Sequence, residues 1–250
     1  MYYLIKYGYE GTMFSGFQRG NGSNSVEDSV IKVLKKYGIS SNMESAARTD
    51  RYVSARGNVL LLDTEKKIDD VMGILNSKIQ HMFFYSYSEL DAYMNPRHNS
   101  MKKYSYIITD KIDIEVLMET LSEFVGQHDF ANFCKMDSRN TMRTVNEIDY
   151  TSHNEFYIIN IYGKSFIWHQ IRSIMAFALM GNKHPFSIES KFTYLARPEP
   201  LVLMDISYEH IDFVNFALNH HNSFLEETEK SVKTRYMLYQ IFTDNPDKGH

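Results

Sequence analysis

Residues 2–9 place Tyr3, Ile5, Tyr7 and Tyr9 on one side of an extended segment, the period-two pattern of a strand. Ser25 then opens a helix. Asp28 three residues on gives a shorter relative of the capping box, Val26, Val30, Ile31, Leu34 and Tyr37 recur at helical spacing, and Gly38 supplies a stop. Val59-Leu60-Leu61-Leu62 reads as a buried strand, and Ile68, Val71, Met72, Leu75 and Ile79 mark a second amphipathic helix. A strand-rich stretch from Phe83 to Tyr93 ends at Asn95-Pro96. The second half repeats the mixture. A strand is predicted over Lys103–Thr109 and a helix from Asp113 carrying Leu117, Met118, Leu121 and Phe124. Two strands follow, around Val145–Thr151 and Glu155–Tyr162, joined by a Ser152-His153-Asn154 turn. A helix is predicted over Phe166–Leu179, closed by Gly181, then a strand over Leu201–Tyr208 and a largely helical stretch from Asp212.

Strands and helices do not alternate strictly, so the pattern predicts an α+β fold with a mostly antiparallel sheet rather than a doubly wound parallel one. The halves, 1–95 and 96–250, read as two related α/β units sharing one continuous sheet, with no repeat in the sequence and no Gly/Ser-rich linker between them.

Composition adds limits. At 250 residues, 43% of them hydrophobic, the chain can bury a sizeable core, and 23% charged residues argue against global disorder. No apolar run reaches the roughly 20 residues of a membrane span, and the N-terminus reads as a strand rather than a signal peptide. A soluble cytoplasmic protein is expected. Cys134 is the single cysteine, which excludes an internal disulfide and a multi-cysteine zinc site. No H-x-x-x-H or H-E-x-x-H spacing occurs, and His220-His221 is a weak exception, so no metal is expected. The net charge of −4 weighs against nucleic-acid binding unless cations gather on one face. Arg48, Arg51 and Arg56, then Arg97, Lys102 and Lys103, then Arg139 and Arg143 are the clusters that could do so, or else they are solvated surface charges.

Three segments put polar groups in apolar surroundings. Ala47-Arg48-Thr49-Asp50-Arg51-Tyr52-Val53-Ser54-Ala55 precedes a buried strand. Such a loop can present a carboxylate beside a cation and a hydroxyl, or its Thr and Asp can bond their own backbone in a turn. Phe166-Ile167-Trp168-His169-Gln170-Ile171-Arg172-Ser173-Ile174-Met175 carries Arg172 among apolar neighbours. That arginine either pairs with an anion, Asp50 being a candidate, or packs its stem and reaches water. Asn95-Pro96-Arg97-His98-Asn99-Ser100-Met101-Lys102-Lys103-Tyr104-Ser105-Tyr106 is a basic turn feeding a strand with Tyr104 and Tyr106 on one face. Aromatics beside cations suit an unpaired base, and equally suit a core in a chain with 18 tyrosines.

Together these segments resemble the TruA family of tRNA pseudouridine synthases, in the family's order from Tyr9 to Leu203. Tyr9-Glu10-Gly11-Thr12-Met13-Phe14-Ser15-Gly16-Phe17-Gln18 is similar to its opening Y-D-G-T-x-F-x-G-W-Q, and Arg48-Thr49-Asp50 to its catalytic R-T-D. Asn95-Pro96-Arg97-His98 with Tyr104 resembles its P-R-H…Y, Gly126-Gln127-His128-Asp129-Phe130 its G-x-H-D-F, and Gln170-Ile171-Arg172 its Q-V-R. Ala196-Arg197-Pro198-Glu199-Pro200-Leu201 resembles the late A-P-x-x-G-L. Ala47, Tyr52, Ala176 and Pro200 stand where the family has glycine, Glu10 where it has Asp, and Phe17 where it has Trp. Tyr52 lies two residues from Asp50. A bulky residue with φ > 0 would be strained there, so either this loop avoids that conformation or its geometry differs from the family's.

The resemblance implies two ferredoxin/RRM-like halves around a central basic cleft. It implies isomerisation of uridine to pseudouridine in the anticodon stem-loop of tRNA, without a cofactor, by a homodimer whose two subunits one tRNA spans. Asp50 would be the catalytic carboxylate, Arg172 its partner, Arg48 the residue displacing the nucleotide and Tyr104 the ring stacking on the flipped uracil. Thr49, Arg51, Arg97, His98, His128, Gln170 and Leu201 would contact substrate. Two other readings compete: a non-catalytic RNA-binding protein on the same scaffold, and an unrelated hydrolase using His128 and Asp129.

Overall fold

The computed structural model describes residues 1–20, 22, 24–135, 140–153, 156–216 and 223–243. Arg139, Asn154, Glu155, His220, His221 and the polar tail Asn245–His250, expected to be disordered, lie outside the described residues. In chain order the elements are β1 (Tyr2–Tyr9), α1 (Val26–Lys36), β2 (Glu44–Ser45), β3 (Ser54–Asp63), α2 (Ile68–Lys78), β4 (Met82–Leu90), β5 (Met101–Ile108) and α3 (Ile114–Ser122). They continue with β6 (Gly126–Asp129), β7 (Met142–Val145), β8 (Glu147–His153), β9 (Phe156–Gly163), α4 (Gln170–Leu179), β10 (Leu201–Ser207), β11 (Val214–Asn215) and α5 (Ser223–Thr243).

The helices begin where side chains satisfy the first free N–H groups. Ser25 Oγ accepts from Asp28 N ahead of α1, and Asp113 accepts from Glu115 N and Val116 N ahead of α3. Glu27 and Asp28 in the first turn of α1 and Lys35 and Lys36 in its last complement the helix dipole.

Among the described residues the main sheet runs β11-β4-β1-β3-β10-β5-β9-β8, with β2 paired to β3. Every pairing is antiparallel except that of β3 with β10, where Val202 faces Ser54 and Leu203 faces Ala55. The fold is therefore α+β with a mostly antiparallel central sheet flanked by helices. α1 packs with α2 against the β1–β3–β4 side, and α3 with α4 against the β5–β9–β8 side. Leu4, Ile5, Leu60, Leu62, Met72 and Leu75 form the fully buried centre of the first half, and Phe124, Phe130 and Phe133 that of the second.

The seam between β3 and β10 positions the site, and backbone crowding there is severe. A Cβ on Gly57 would stand 2.6 Å from Met204 O, so only glycine fits. A half-buried ion pair spans the same region, Lys6 Nζ to Asp205 Oδ1 at 2.6 Å.

Four elements differ from the sequence pattern. The strand expected over Val145–Thr151 is divided, because Asn146 N turns to Tyr162 O between β7 and β8. The short hairpin of β6 and β7 was not predicted. The C-terminal stretch is not helical from Asp212: Val214 and Asn215 pair with Tyr87 and Ser86 at the sheet edge before α5 begins. The helix expected from Phe166 starts only at Gln170, because His169 takes φ +71° and breaks the run.

Candidate active site

The Arg48–Asp50 loop hangs from the sheet at both ends. Ala46 N donates to Val59 O at 2.9 Å, Lys102 Nζ donates to Ala46 O at 3.1 Å and the buried Asn58 Nδ2 donates to Ala47 O at 3.0 Å. The Tyr9 hydroxyl at the end of β1 meets Thr49 Oγ1 at 2.8 Å. Beyond Asp50 the chain reverses in a tight turn closed by Val53 N to Asp50 O at 3.1 Å. Tyr52, third in that turn, has φ +71°, the conformation for which glycine or asparagine is favoured there. The loop thus does not avoid the left-handed conformation but places a bulky residue in it, against the expectation from sequence. The Arg51 guanidinium lies 4.6 Å from the centre of the Tyr52 ring. Gly11 supports the turn from beneath, where a Cβ would fall 2.2 Å from Val53 O, and its N–H donates to Ser54 Oγ at 3.0 Å.

On the other side, α4 presents Arg172. Its Nη1 donates to Asp50 Oδ2 at 3.0 Å across 122 residues of sequence, and its Nε donates to Ala196 O at 2.8 Å. Both side chains of the pair are largely buried, Arg172 14% and Asp50 18% exposed. His169 Nε2 stands 3.7 Å from the same carboxylate oxygen. Burial pushes the His169 imidazole pKa down, outweighing the upward pull of Asp50, with Arg172 and Lys135 adding to the depression. Among the described residues no hydrogen bond reaches Asp50 Oδ1, which leaves that oxygen available to a ligand.

A cavity of about 980 Å³ opens over this pair. Arg48, Thr49, Asp50, Arg51, Tyr104, Gln170, Arg172 and Leu201 all line it, giving three arginines to one carboxylate. Tyr104 is 8% exposed and packs edge-on against Phe166, ring centres 5.5 Å apart. Burial, then the nearby Tyr9 and Asp50, raise its phenol pKa, so the hydroxyl keeps its proton at neutral pH. Gln170 is fully buried and its Oε1 accepts from Ile167 N at 2.9 Å, bracing the turn that leads into α4.

Three residues expected at the substrate do not line this cavity. Arg97 and His98 are exposed on the turn before β5. His128 stacks on Phe186 at 4.0 Å and its Nε2 bonds Val125 O, while Asp129 receives Ala131 N and Thr141 Oγ1. Those contacts occupy both members of the His128–Asp129 pair structurally. Lys102, read as part of a basic surface cluster, turns inward to the Ala46 carbonyl instead.

Four residues not expected at the site also belong to it: Tyr9, which holds Thr49, and Phe166, Trp168 and His169, which line the cavity. The last three directly precede Gln170-Ile171-Arg172, so their proximity in the chain was visible, but nothing in their spacing announces the left-handed turn at His169 that aims them.

A family model described as tRNA pseudouridine synthase matches residues 121–209. The chain is 47% identical over 247 residues to a tRNA pseudouridine synthase A of Picrophilus torridus, covering 99% of this chain and 97% of that one. It is 42% identical over 215 residues to the protein of the same name from Thermoplasma acidophilum, covering 84% and 85%. It is 32% identical over 251 residues to that of Pyrococcus furiosus, covering 94% and 92%. With such identity along nearly the whole of both chains, the protein belongs to the tRNA pseudouridine synthase A family.

Proposed function

We propose that this protein isomerises uridine to pseudouridine in tRNA, with Asp50 as the acting carboxylate. The observation that carries the reading is the Asp50–Arg172 pair at 3.0 Å, drawn from two distant elements to the floor of an open, arginine-lined cavity.

The reaction breaks the C1′–N1 bond, turns the uracil and joins C1′ to C5. The proton lost from C5 is balanced by the one gained at N1, so nothing is consumed. Asp50 acts either as nucleophile at C1′ or as base at C2′, and both roles need an ionised carboxylate with one oxygen held and the other free. Arg172 holds Oδ2, and Oδ1 is left for the ribose. A guanidinium fixed at its other end by Ala196 O spends no freedom on reorienting during the reaction.

Reaching the cavity requires the uridine to leave its stack, at a cost of about a few kcal/mol. Arg48 is exposed at the rim and would take the place of the extracted nucleotide. Tyr104, neutral and apolar-faced, would lie against the uracil, and Leu201 would form the wall. Thr49 and Arg51 complete the contacts within the cavity, with Arg97 and His98 serving the tRNA outside it and His128 keeping its structural place against Phe186. The anticodon stem-loop as target region, a homodimer spanned by one tRNA, the cytoplasm as compartment and the division into halves 1–95 and 96–250 belong to the same reading by resemblance. Among the described residues no helix is long and apolar enough to cross a membrane.

The test is tritium release from tRNA labelled at uridine C5. Wild-type protein releases tritium and Asp50→Asn does not, while still binding tRNA. Binding without release by the wild type would instead assign a non-catalytic RNA-binding role.

A further inference from the structure

Trp168 is the chain's single tryptophan, and it is 49% exposed. It lines the same cavity as Asp50 and Arg172. A side chain this large and apolar normally finds cover in the core or at an interface. Here the neighbouring backbone is arranged to hold it outward. Ile167 turns into the core at 9% exposure, its N–H bound to the fully buried Gln170. His169 follows at φ +71°, and the chain between the two projects the indole at the cavity mouth. Lys135 N donates to Trp168 O at 2.9 Å, fixing the segment from a second loop.

The ring itself is held as well. Lys135 Nζ lies 4.1 Å from its centre, and the His169 ring stands 5.0 Å away at 60°. The result is an aromatic surface with an ammonium against it and about half of it exposed, beside a carboxylate site. That is the chemistry that takes an unpaired nucleobase: a flat ring to stack on, with a cation close enough to meet the RNA backbone. The cavity, about 980 Å³, also lies at the top of the roughly 300–1,000 Å³ range of ligand pockets, giving room for more than the reacting base.

Resting on the isomerase reading, we propose that Trp168 stacks on an unpaired nucleobase next to the uridine taken into the cavity, and so helps to hold the RNA strand open at the target. The contact is one of binding; the indole has no part in bond making.

The test uses full-length protein and an anticodon stem-loop RNA. In the Asp50→Asn protein, indole emission reports this position alone, and it is expected to be quenched saturably as the RNA is added. Trp168→Ala should weaken RNA binding by roughly 5- to 150-fold, the worth of one stacked base, and lower kcat/KM to match. Trp168→Phe should recover most of that loss. The slope of log Kd against log salt should stay as in the parent, because stacking releases no counterions. Unchanged RNA affinity in a folded Trp168→Ala protein overturns the proposal. So does emission that ignores RNA but varies with protein concentration, which would assign the ring to a contact with a second copy of the chain. Tritium release separates the two readings. Quenching by RNA without release from wild type upholds the stacking and sinks the isomerase, whereas release at equal kcat/KM in wild type and Trp168→Ala does the reverse.

Discussion

Arg172→Ala removes two bonds at once, one to Asp50 and one to Ala196 O. A hydrogen bond to a charged group contributes about 1.5–3 kcal/mol net, and stripping one partner from a buried ion pair costs about 3–5 kcal/mol. The two side chains are 14% and 18% exposed, so solvent screens the Asp50 left behind and places the expected loss near the lower end, about 3 kcal/mol. Urea denaturation measures it. A double-mutant cycle with Asp50→Asn isolates the pair, with an expected coupling of about 1.5–3 kcal/mol. Activity should fall further than binding, by roughly 10²–10³ in tritium release with tRNA affinity within about tenfold, since the guanidinium orients a carboxylate that acts in the transition state. Arg172→Lys should recover only part of either quantity, because one ammonium cannot reproduce the fork that reaches both Asp50 and Ala196 O. Additive stability losses, agreeing within about 0.5 kcal/mol, or tritium release at the wild-type rate in Arg172→Ala, would refute the role given to this pair.

Gly11→Ala should displace the Tyr52–Val53 backbone, since the new methyl lands 2.2 Å from Val53 O; a stability loss of about 2 kcal/mol or more with loss of tritium release is expected, and a fully active variant would contradict it. At Tyr52, whose φ is +71°, the usual order of substitutions should invert. Tyr52→Gly is expected to be more stable than Tyr52→Ala by about 1 kcal/mol in thermal denaturation, and the opposite order would mean the turn is not left-handed. Burial, with Arg97 second, holds the Lys102 ammonium pKa down to about 8 from its usual 10.5. Its stabilising contribution is therefore complete above the unfolded value and is lost as pH falls through about 8. Wild-type stability should rise by up to roughly 3 kcal/mol relative to Lys102→Met between about pH 8 and 10.5, and parallel pH–stability curves for the two proteins would rule this out.

Local pattern carried much of the fold. The alternation of Tyr3, Ile5, Tyr7 and Tyr9 matches β1, the spacing of Val26, Val30, Ile31 and Leu34 matches α1, and Ser25 and Asp113 stand as the caps of α1 and α3. These signals lie within one turn or one pleat, where side-chain chemistry and backbone conformation are directly linked. The errors came mostly where a distant partner intervened. Val214 and Asn215 became a strand because the edge of β4 offered them hydrogen bonds, whereas the helix expected from Phe166 was cut short locally, by the left-handed turn at His169. Lys102 looked like a surface cation because nothing in its neighbourhood announces the Ala46 carbonyl that it meets.

The sequence by itself determined the element types, the mixed α/β class and the residue kinds from which a carboxylate–arginine site can be built, because periodicity, capping and motif order are properties of short segments. Only the tertiary structure decided that Asp50 and Arg172, 122 residues apart, meet at 3.0 Å, that Tyr52 bends the loop in a left-handed turn, and that Trp168 faces the cavity while Lys102 does not face solvent. Those outcomes depend on the parallel contact of β3 with β10, which brings the two halves of the chain into one sheet. A contact between strands so distant in sequence is set by which surfaces can be buried together, and no single segment contains that information.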